Sequence, residues 1–198
     1  MIIILMRRAR ERRDKDFNLH LKVIVDAHQD VVLLTGRGDA YKYVREVADS
    51  FGVECFELDR EYYDPEVVCG KEKLNWIMDL DGFYEDRMCL SDIFNCLSIF
   101  IRNVFRRMSG DSVLVYLDSL MLELVYLILG DQSLAVLRRN SIYLDEFCVA
   151  IIVREELGGQ IQTLLLKSNV LAADAFHRKA SMRLIRGGVP SKRIDSEV

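Results

Sequence analysis

The chain has little proline and a set of cysteines that suits no disulfide framework. Only 2 of its 198 residues are proline, while hydrophobic residues make up 51%. These proportions predict one ordered domain with a sizeable core. The 5 cysteines include no C-x-x-C pair, and an odd number leaves one thiol over in any pairing scheme. A reducing compartment is the simplest interpretation.

Metal ligands and long apolar runs are also scarce. The 3 histidines are scattered and, with the cysteines, suggest no metal site. No stretch free of charges reaches membrane-spanning length. The opening M-I-I-I-L-M is apolar, but its basic run follows it, whereas a signal peptide carries its charges first. The sequence therefore predicts a soluble intracellular protein.

Basic residues are not in excess, since the net charge is −4. This argues against a protein that coats nucleic acid with a wholly basic surface. Two local basic segments remain, and each is either a solvated surface or a patch that contacts phosphates; the first is alternatively a nuclear-targeting signal. The candidate contacts to DNA or to a partner are Arg7, Arg8, Arg10, Arg12, Arg13, Arg183 and Arg186.

The most informative stretch runs from Ser112 to Leu120, with the sequence S-V-L-V-Y-L-D-S-L. Its apolar run is typical of a strand that is buried on both faces of a parallel sheet. The run ends at Asp118, at the carboxyl end of the strand, where open α/β sheets bind their ligands. The alternative is an ordinary strand that ends in a turn-forming Asp-Ser pair.

Strand and helix patterns alternate along the rest of the chain. The helix pattern is clearest over residues 90–108, where apolar residues form one stripe. Further strands are predicted at Leu21–Val25, Val31–Thr35, Glu54–Asp59, Cys148–Val153 and Met182–Arg186. The alternation predicts an α/β fold with a mainly parallel twisted sheet and helices on both faces.

The domain organisation follows from the same patterns. Residues 1–16 are interpreted as an N-terminal arm, and residues 17–198 as a single domain. A helical pattern is predicted over residues 169–178. The apolar segment Met121–Leu129 is interpreted either as core or as part of a contact between subunits.

From Leu90 to Arg186 the chain resembles the ATPase core of RecA-type recombinases, in particular the eukaryotic strand-exchange recombinase and its paralogues. The matching segments are Leu90–Met108, Val113–Ser119, Leu134–Ile152 and Ala180–Arg186. The resemblance implies a RecA-like sheet in which Asp118 and Ser119 correspond to the Walker B end of a strand. It also aligns Glu61 with the family's catalytic glutamate.

The phosphate-binding motif G-x-x-x-x-G-K-[ST] is absent from the whole sequence. Its nearest counterpart contains Gly36, Gly38 and Lys42, but it lacks the glycine before the lysine and the hydroxyl after it. An alternative register leaves no position for this loop at all. The resemblance therefore implies a degenerate subunit that does not hydrolyse ATP, and so not an enzyme.

The resemblance further implies a non-catalytic subunit acting in homologous recombination in the nucleus. It would form a heterodimer with a paralogue that has a P-loop, and would assist recombinase filaments on single-stranded DNA. No cofactor is expected, except ATP and Mg²⁺ shared with the partner. Two alternatives are a divergent RecA-like ATPase that uses Gly36–Lys42, and a clock-type pseudo-ATPase signalling module unrelated to DNA.

Overall fold

The computed structural model describes residues 1–9, 14–28, 30–36, 38, 41–58, 89–107, 112–138, 144–157 and 160–176. In chain order the strands are β1 (Ile2–Arg7), β2 (Val31–Gly36), β3 (Glu54–Leu58), β4 (Ser112–Leu117), β5 (Cys148–Leu157) and β6 (Gln160–Leu171). The helices are α1 (Asp14–Ala27), α2 (Lys42–Ser50), α3 (Leu90–Arg107), α4 (Ser119–Leu129) and α5 (Ala172–Phe176), and Leu134–Arg138 form a 3₁₀ helix.

The six strands form one sheet in the order β3-β2-β4-β1-β5-β6. Strands β3, β2, β4 and β1 run parallel, whereas β5 is antiparallel to β1 and β6 is antiparallel to β5. The α/β prediction is confirmed. The sheet is mixed, however, because β5 and β6 follow one another as an antiparallel pair.

Two strongly apolar runs, those of β1 and β4, occupy the centre of the sheet. Every residue of β4 is buried, as its sequence predicted. Strand β1 is paired with β4 on one side and β5 on the other, and its residues Ile3–Met6 are fully buried. The structure thus places Ile2–Arg7 inside the sheet, where the sequence suggested an arm. Both β1 and β4 are short apolar runs that end at a charged residue, arginine in β1 and Asp118 after β4.

The segment Leu21–Val25 was expected to be a strand, and this was wrong, because it lies within α1. Phe17, Leu21 and Ile24 are spaced so that they share one helical face, and all three are fully buried. The exposed Lys22 lies on the other side. A five-residue apolar window is too short to distinguish this spacing from the alternation of a strand.

Helix α3 agrees with its sequence pattern. The predicted stripe of α3 buries Leu90, Ile93, Leu97, Ile101 and Val104. The apolar α4 packs against α3, β1 and β4. Nine of its eleven residues are buried, so within the described part of the chain it belongs to the core.

The carboxyl-terminal part of the described chain differs from its prediction. The helix expected over residues 169–178 is the end of β6 followed by α5 (Ala172–Phe176). The predicted strand Met182–Arg186 lies outside the described residues. Among the helices that are described, none is both long and apolar enough to cross a membrane.

Candidate functional site

The carboxyl ends of β1, β2 and β4 lie side by side at one edge of the sheet. Arg7 is paired with Leu117, and Thr35 is paired with Tyr116, so the three strands end at the same level. The chain then continues into Arg8 after β1 and Asp118 after β4. Ligands of open α/β sheets bind at this kind of edge.

Asp118 is the N-cap of α4. Its Oδ1 accepts hydrogen bonds from the backbone N–H groups of Leu120 at 3.1 Å and Met121 at 3.3 Å. Its backbone is extended, with φ −71° and ψ 173°, as is usual at an N-cap. The carboxylate therefore satisfies two N–H groups that have no partner within the helix, and its charge favours the positive end of the helix dipole.

Tyr41 forms one wall of the site. Its side chain is 2% exposed, and its hydroxyl donates to Asp118 Oδ2 over 3.5 Å, the limit of a hydrogen bond. The ring packs closely on the end of β2, because a Cβ added at Gly36 would lie 2.5 Å from Tyr41 Cε2. Glycine is therefore required at position 36 by the tyrosine ring.

Arg8 follows β1 and packs on the ring of Tyr41. Its backbone N–H donates to Leu117 O at 2.7 Å, which extends the pairing of β1 with β4 by one residue. Its guanidinium lies 5.1 Å from the centroid of the Tyr41 ring, a cation–π distance, and Nη1 donates to Ala9 O at 3.1 Å. The buried Nε has no hydrogen-bond partner in the part of the chain that the structure describes.

The surroundings of Asp118 shift its proton affinity. Burial raises the pKa of Asp118 to about 6, although the Met121 N–H and the charge of Arg8 act in the opposite direction. Burial, followed by the Asp118 charge, raises the pKa of Tyr41 well above 10. Asp118 therefore exchanges its proton near neutral pH, whereas Tyr41 stays a neutral hydroxyl.

Arg7 links the edge to the chain before β5. Its Nη1 donates to Leu144 O at 2.7 Å, and its backbone oxygen accepts from Phe147 N at 3.0 Å. These bonds fix the segment that leads into β5 across the end of β1. Arg7 therefore has a structural role beside Arg8.

The structure brings together some of the residues that the sequence singled out. Asp118, Arg8 and Gly36 meet at the carboxyl edge, with Ser119 at the first position of α4. Lys42 is the first residue of α2 and is exposed, and Gly38 has a positive φ of 113°. The candidates that lie outside the described residues are Glu61, Arg10, Arg12, Arg13, Arg183 and Arg186.

Sequence reasoning missed the contact of Arg8 and Tyr41 with Asp118. A usable signal was the opening run I-I-I-L-M, which has the length and composition of a buried strand and ends in arginine. Had it been placed in the sheet, Arg8 and Asp118 would both have followed parallel strands.

Neither described histidine directly follows β1 or β4 at the carboxyl edge. His20 is buried with its ring stacked on Phe147 at 4.9 Å. His28 Nδ1 is 2.9 Å from Ser112 Oγ, at the amino end of β4. His177 is outside the described residues, although its neighbour Phe176 contacts His28. Among the residues with described positions, no cluster of three metal-binding side chains occurs.

Comparisons with solved structures give a consistent result. A mycobacterial glucosyl-3-phosphoglycerate phosphatase matches with a TM-score of 0.60 and 8% identity, over 86% of this chain and 98% of its own. An α-ribazole phosphatase from Shigella flexneri matches with a TM-score of 0.59 and 12% identity, over 86% and 98%. YhfR from Bacillus stearothermophilus gives 0.58 and 12% over the same shares. This fold is shared with histidine phosphatases.

At 8–12% identity, these likenesses establish the fold alone. No protein-family model matches the chain, and no curated protein sequence does either.

The RecA resemblance is wrong, because the neighbours are histidine phosphatases and the sheet is mixed. The functions that rested on it are wrong too: recombinase paralogue, RecA-like ATPase, and clock-type pseudo-ATPase. The expectation that the protein is not an enzyme conflicts with the structural matches, which are phosphatases. Three further expectations rested on the same resemblance and stay predictions: the partners, the shared ATP and Mg²⁺, and the nuclear location.

The RecA resemblance was misleading because its main feature is common to many α/β folds. A buried apolar run that ends in aspartate is found wherever a parallel strand meets a ligand-binding edge, so it does not identify one family. The segments matched to RecA contain β4 and β5, but their order along the chain does not reveal that β1 separates them in the sheet.

Proposed function

We propose that this protein is a phosphate-monoester hydrolase with the fold of the histidine phosphatases, and that it binds its substrate at the carboxyl edge of its sheet. The names of the structural neighbours support this, since they are glucosyl-3-phosphoglycerate phosphatase and α-ribazole phosphatase. The mycobacterial enzyme also has structures with inorganic phosphate and with VO3.

The observation that carries the proposal is the position of Arg8. Its guanidinium lies at the ligand-binding edge, close to the N-terminus of α4, and its buried Nε lacks a partner among the described residues. A planar guanidinium matches the geometry of phosphate oxygens, and its charge neutralises part of theirs. An arginine beside the positive end of a helix is thus a suitable place for a phosphate group.

The residues at this edge also constrain the chemistry. Arg8 and Asp118 are the residues that follow β1 and β4, so neither of these strands ends in a histidine that could take up the phosphoryl group. In the proposed reaction water attacks phosphorus and the bond to the leaving oxygen breaks, while Arg8 stabilises the charge on the phosphoryl oxygens and the protons of the water stay on the phosphate product. Asp118, when protonated, would give its proton to the leaving oxygen as that bond breaks.

A binding and turnover measurement tests this. The full chain is titrated with inorganic phosphate and assayed with p-nitrophenyl phosphate, as wild type, Arg8→Gln and the control Arg45→Gln. Arg45 is an exposed arginine on α2 that pairs with Glu57 at 3.8 Å. We expect Arg8→Gln to weaken phosphate binding by at least about 10-fold, the loss of a charge-assisted hydrogen bond.

Arg45→Gln should bind phosphate as the wild type does. The proposal fails if the folded wild type neither binds phosphate nor releases p-nitrophenol, or if Arg8→Gln matches the wild type in both assays. Circular dichroism of each variant checks that the fold is retained.

A further inference from the structure

We infer that the negative charge of Asp118 takes the place of a phosphate's charge at the end of α4 and beside Arg8, so that an ionised Asp118 and a bound phosphate disfavour each other. This inference rests on the proposed function and assigns Asp118 the control of that site. The geometry has two parts, the end of α4 and the side chain of Arg8.

The end of α4 is already occupied by an anion. The N–H groups of Leu120 and Met121 both donate to Asp118 Oδ1, at 3.1 and 3.3 Å. Free N–H groups at a helix N-terminus are the donors that proteins offer to phosphate. Here they are satisfied from within the chain, by a group that is covalently held in place.

The second oxygen of the carboxylate faces the rest of the site. Oδ2 is 3.5 Å from the Tyr41 hydroxyl, and the Tyr41 ring lies 5.1 Å from the guanidinium carbon of Arg8. Arg8 and Tyr41 are the described charged and titratable groups that face Asp118. Since Tyr41 stays neutral, the charge that an ionised Asp118 carries is met here by the opposite charge of Arg8.

The protonation state of Asp118 then sets the charge that a ligand meets. With Asp118 ionised, its charge cancels that of Arg8 and repels an incoming anion. With Asp118 neutral, the Arg8 charge is uncompensated and an anion is attracted. The raised pKa of Asp118, about 6, places this change within the range in which proteins stay folded. Anion affinity should therefore increase as the pH falls.

Inorganic sulfate is the probe for the test, because its charge stays at −2 between pH 5 and pH 8. The full chain is titrated with sulfate by calorimetry across this range, as wild type and as Asp118→Asn. Asparagine preserves the N-cap and the shape of the side chain without the charge. The control is Asp131→Asn, which removes an exposed carboxylate just beyond α4, at a positive φ of 49° that asparagine tolerates.

We expect wild-type affinity for sulfate to rise at least about 10-fold from pH 8 to pH 5. Asp118→Asn should bind sulfate at least about 10-fold more tightly than the wild type at pH 8. It should also lose most of the pH dependence, although it keeps all three histidines. Asp131→Asn should behave as the wild type, and Asp118→Ser, which also caps a helix, should reproduce Asp118→Asn.

Two outcomes separate this inference from the proposed function. If the wild type binds sulfate equally tightly at pH 5 and pH 8, and Asp118→Asn changes nothing, the inference is overturned while the phosphate site stands. If neither the wild type nor either Asp118 variant binds sulfate at any pH, the phosphate site itself is refuted.

Discussion

The two ends of strand β4 carry polar groups of different kinds. At the amino end, Ser112 Oγ lies 2.9 Å from His28 Nδ1, and the ring of Phe176 packs against the imidazole. At the carboxyl end, Asp118 caps α4 beside Arg8. The imidazole is thus at the amino end of the strand, and Asp118 and Arg8 are at the carboxyl end, where open α/β sheets generally bind ligands.

This difference shows that position in the sheet decides what a polar residue can do. Parallel strands bring the N-terminus of α4 and the ends of β1, β2 and β4 to one edge, so an anion is stabilised there. At the amino edge, no described side chain accepts hydrogen bonds from two backbone N–H groups, as Asp118 does at the carboxyl edge. The hydrogen bond between His28 and Ser112 at that edge is therefore interpreted as structural.

The packing of Tyr41 at the carboxyl end gives the largest effect on stability. Gly36→Ala should lower the free energy of unfolding by about 1–3 kcal/mol, because the new methyl group would overlap the buried ring. The control is Gly130→Ala, where the nearest atom to an added Cβ is 3.4 Å away, on the Gln132 side chain. Urea unfolding measures both. Equal stability of the two variants would show that Tyr41 moves freely.

The charge of Asp118 is expected to cost stability at high pH. Its pKa in the folded protein, about 6, is above its ordinary value of 3.8, so the native state holds the proton more tightly than the unfolded chain. The stability that this gives is fully present below pH 3.8 and is lost as the pH rises through about 6.

Asp118→Asn should therefore be more stable than the wild type at pH 8 by about 1–2 kcal/mol. The difference should shrink steadily on the way to pH 4.5. Asp131→Asn, measured alongside by urea unfolding, should show no such trend. A wild-type protein that is the more stable one at pH 8 would mean that ionised Asp118 is held favourably by Arg8.

The amino end should respond to mutation in stability alone. Ser112→Ala removes the hydrogen bond to His28 and should cost about 0.5–1.5 kcal/mol, while sulfate affinity stays unchanged. Ser50→Ala is the control, since its hydroxyl bonds to Val47 O on the surface and its loss should cost less than about 0.5 kcal/mol. A 10-fold fall in sulfate affinity in Ser112→Ala would remove the distinction between the two ends.

Local patterns predicted a large part of the fold. The strands β2, β3, β4 and β5 and the helix α3 agree with their apolar runs and stripe. Strand β1 was missed because its run opens the chain and is followed by arginines. Helix α1 was missed where a short apolar window was read as a strand.

The sequence predicted one of the two charged residues of the candidate site, Asp118, but not the place of the other, Arg8. Asp118 was identified because the end of a buried parallel strand is a general position for functional groups. Arg8 was noted only as a basic residue, since its position depends on the pairing of β1 with β4. Nothing in a strand's own sequence states which strand lies beside it, so the assignment to RecA could not be tested on the sequence alone.

Helix α4 is surrounded along its length, with nine of its eleven residues buried. Among the described residues, the sides of this helix are therefore mostly covered, and its amino-terminal turn, which Asp118 caps, lies at the carboxyl edge of the sheet. Discrimination among ligands then cannot reside on the sides of this helix, and it has to come from groups that approach from β1 and from the start of α2. Under the proposed function, changes to those approaches would alter which ester binds and would leave the Asp118 cap of α4 intact.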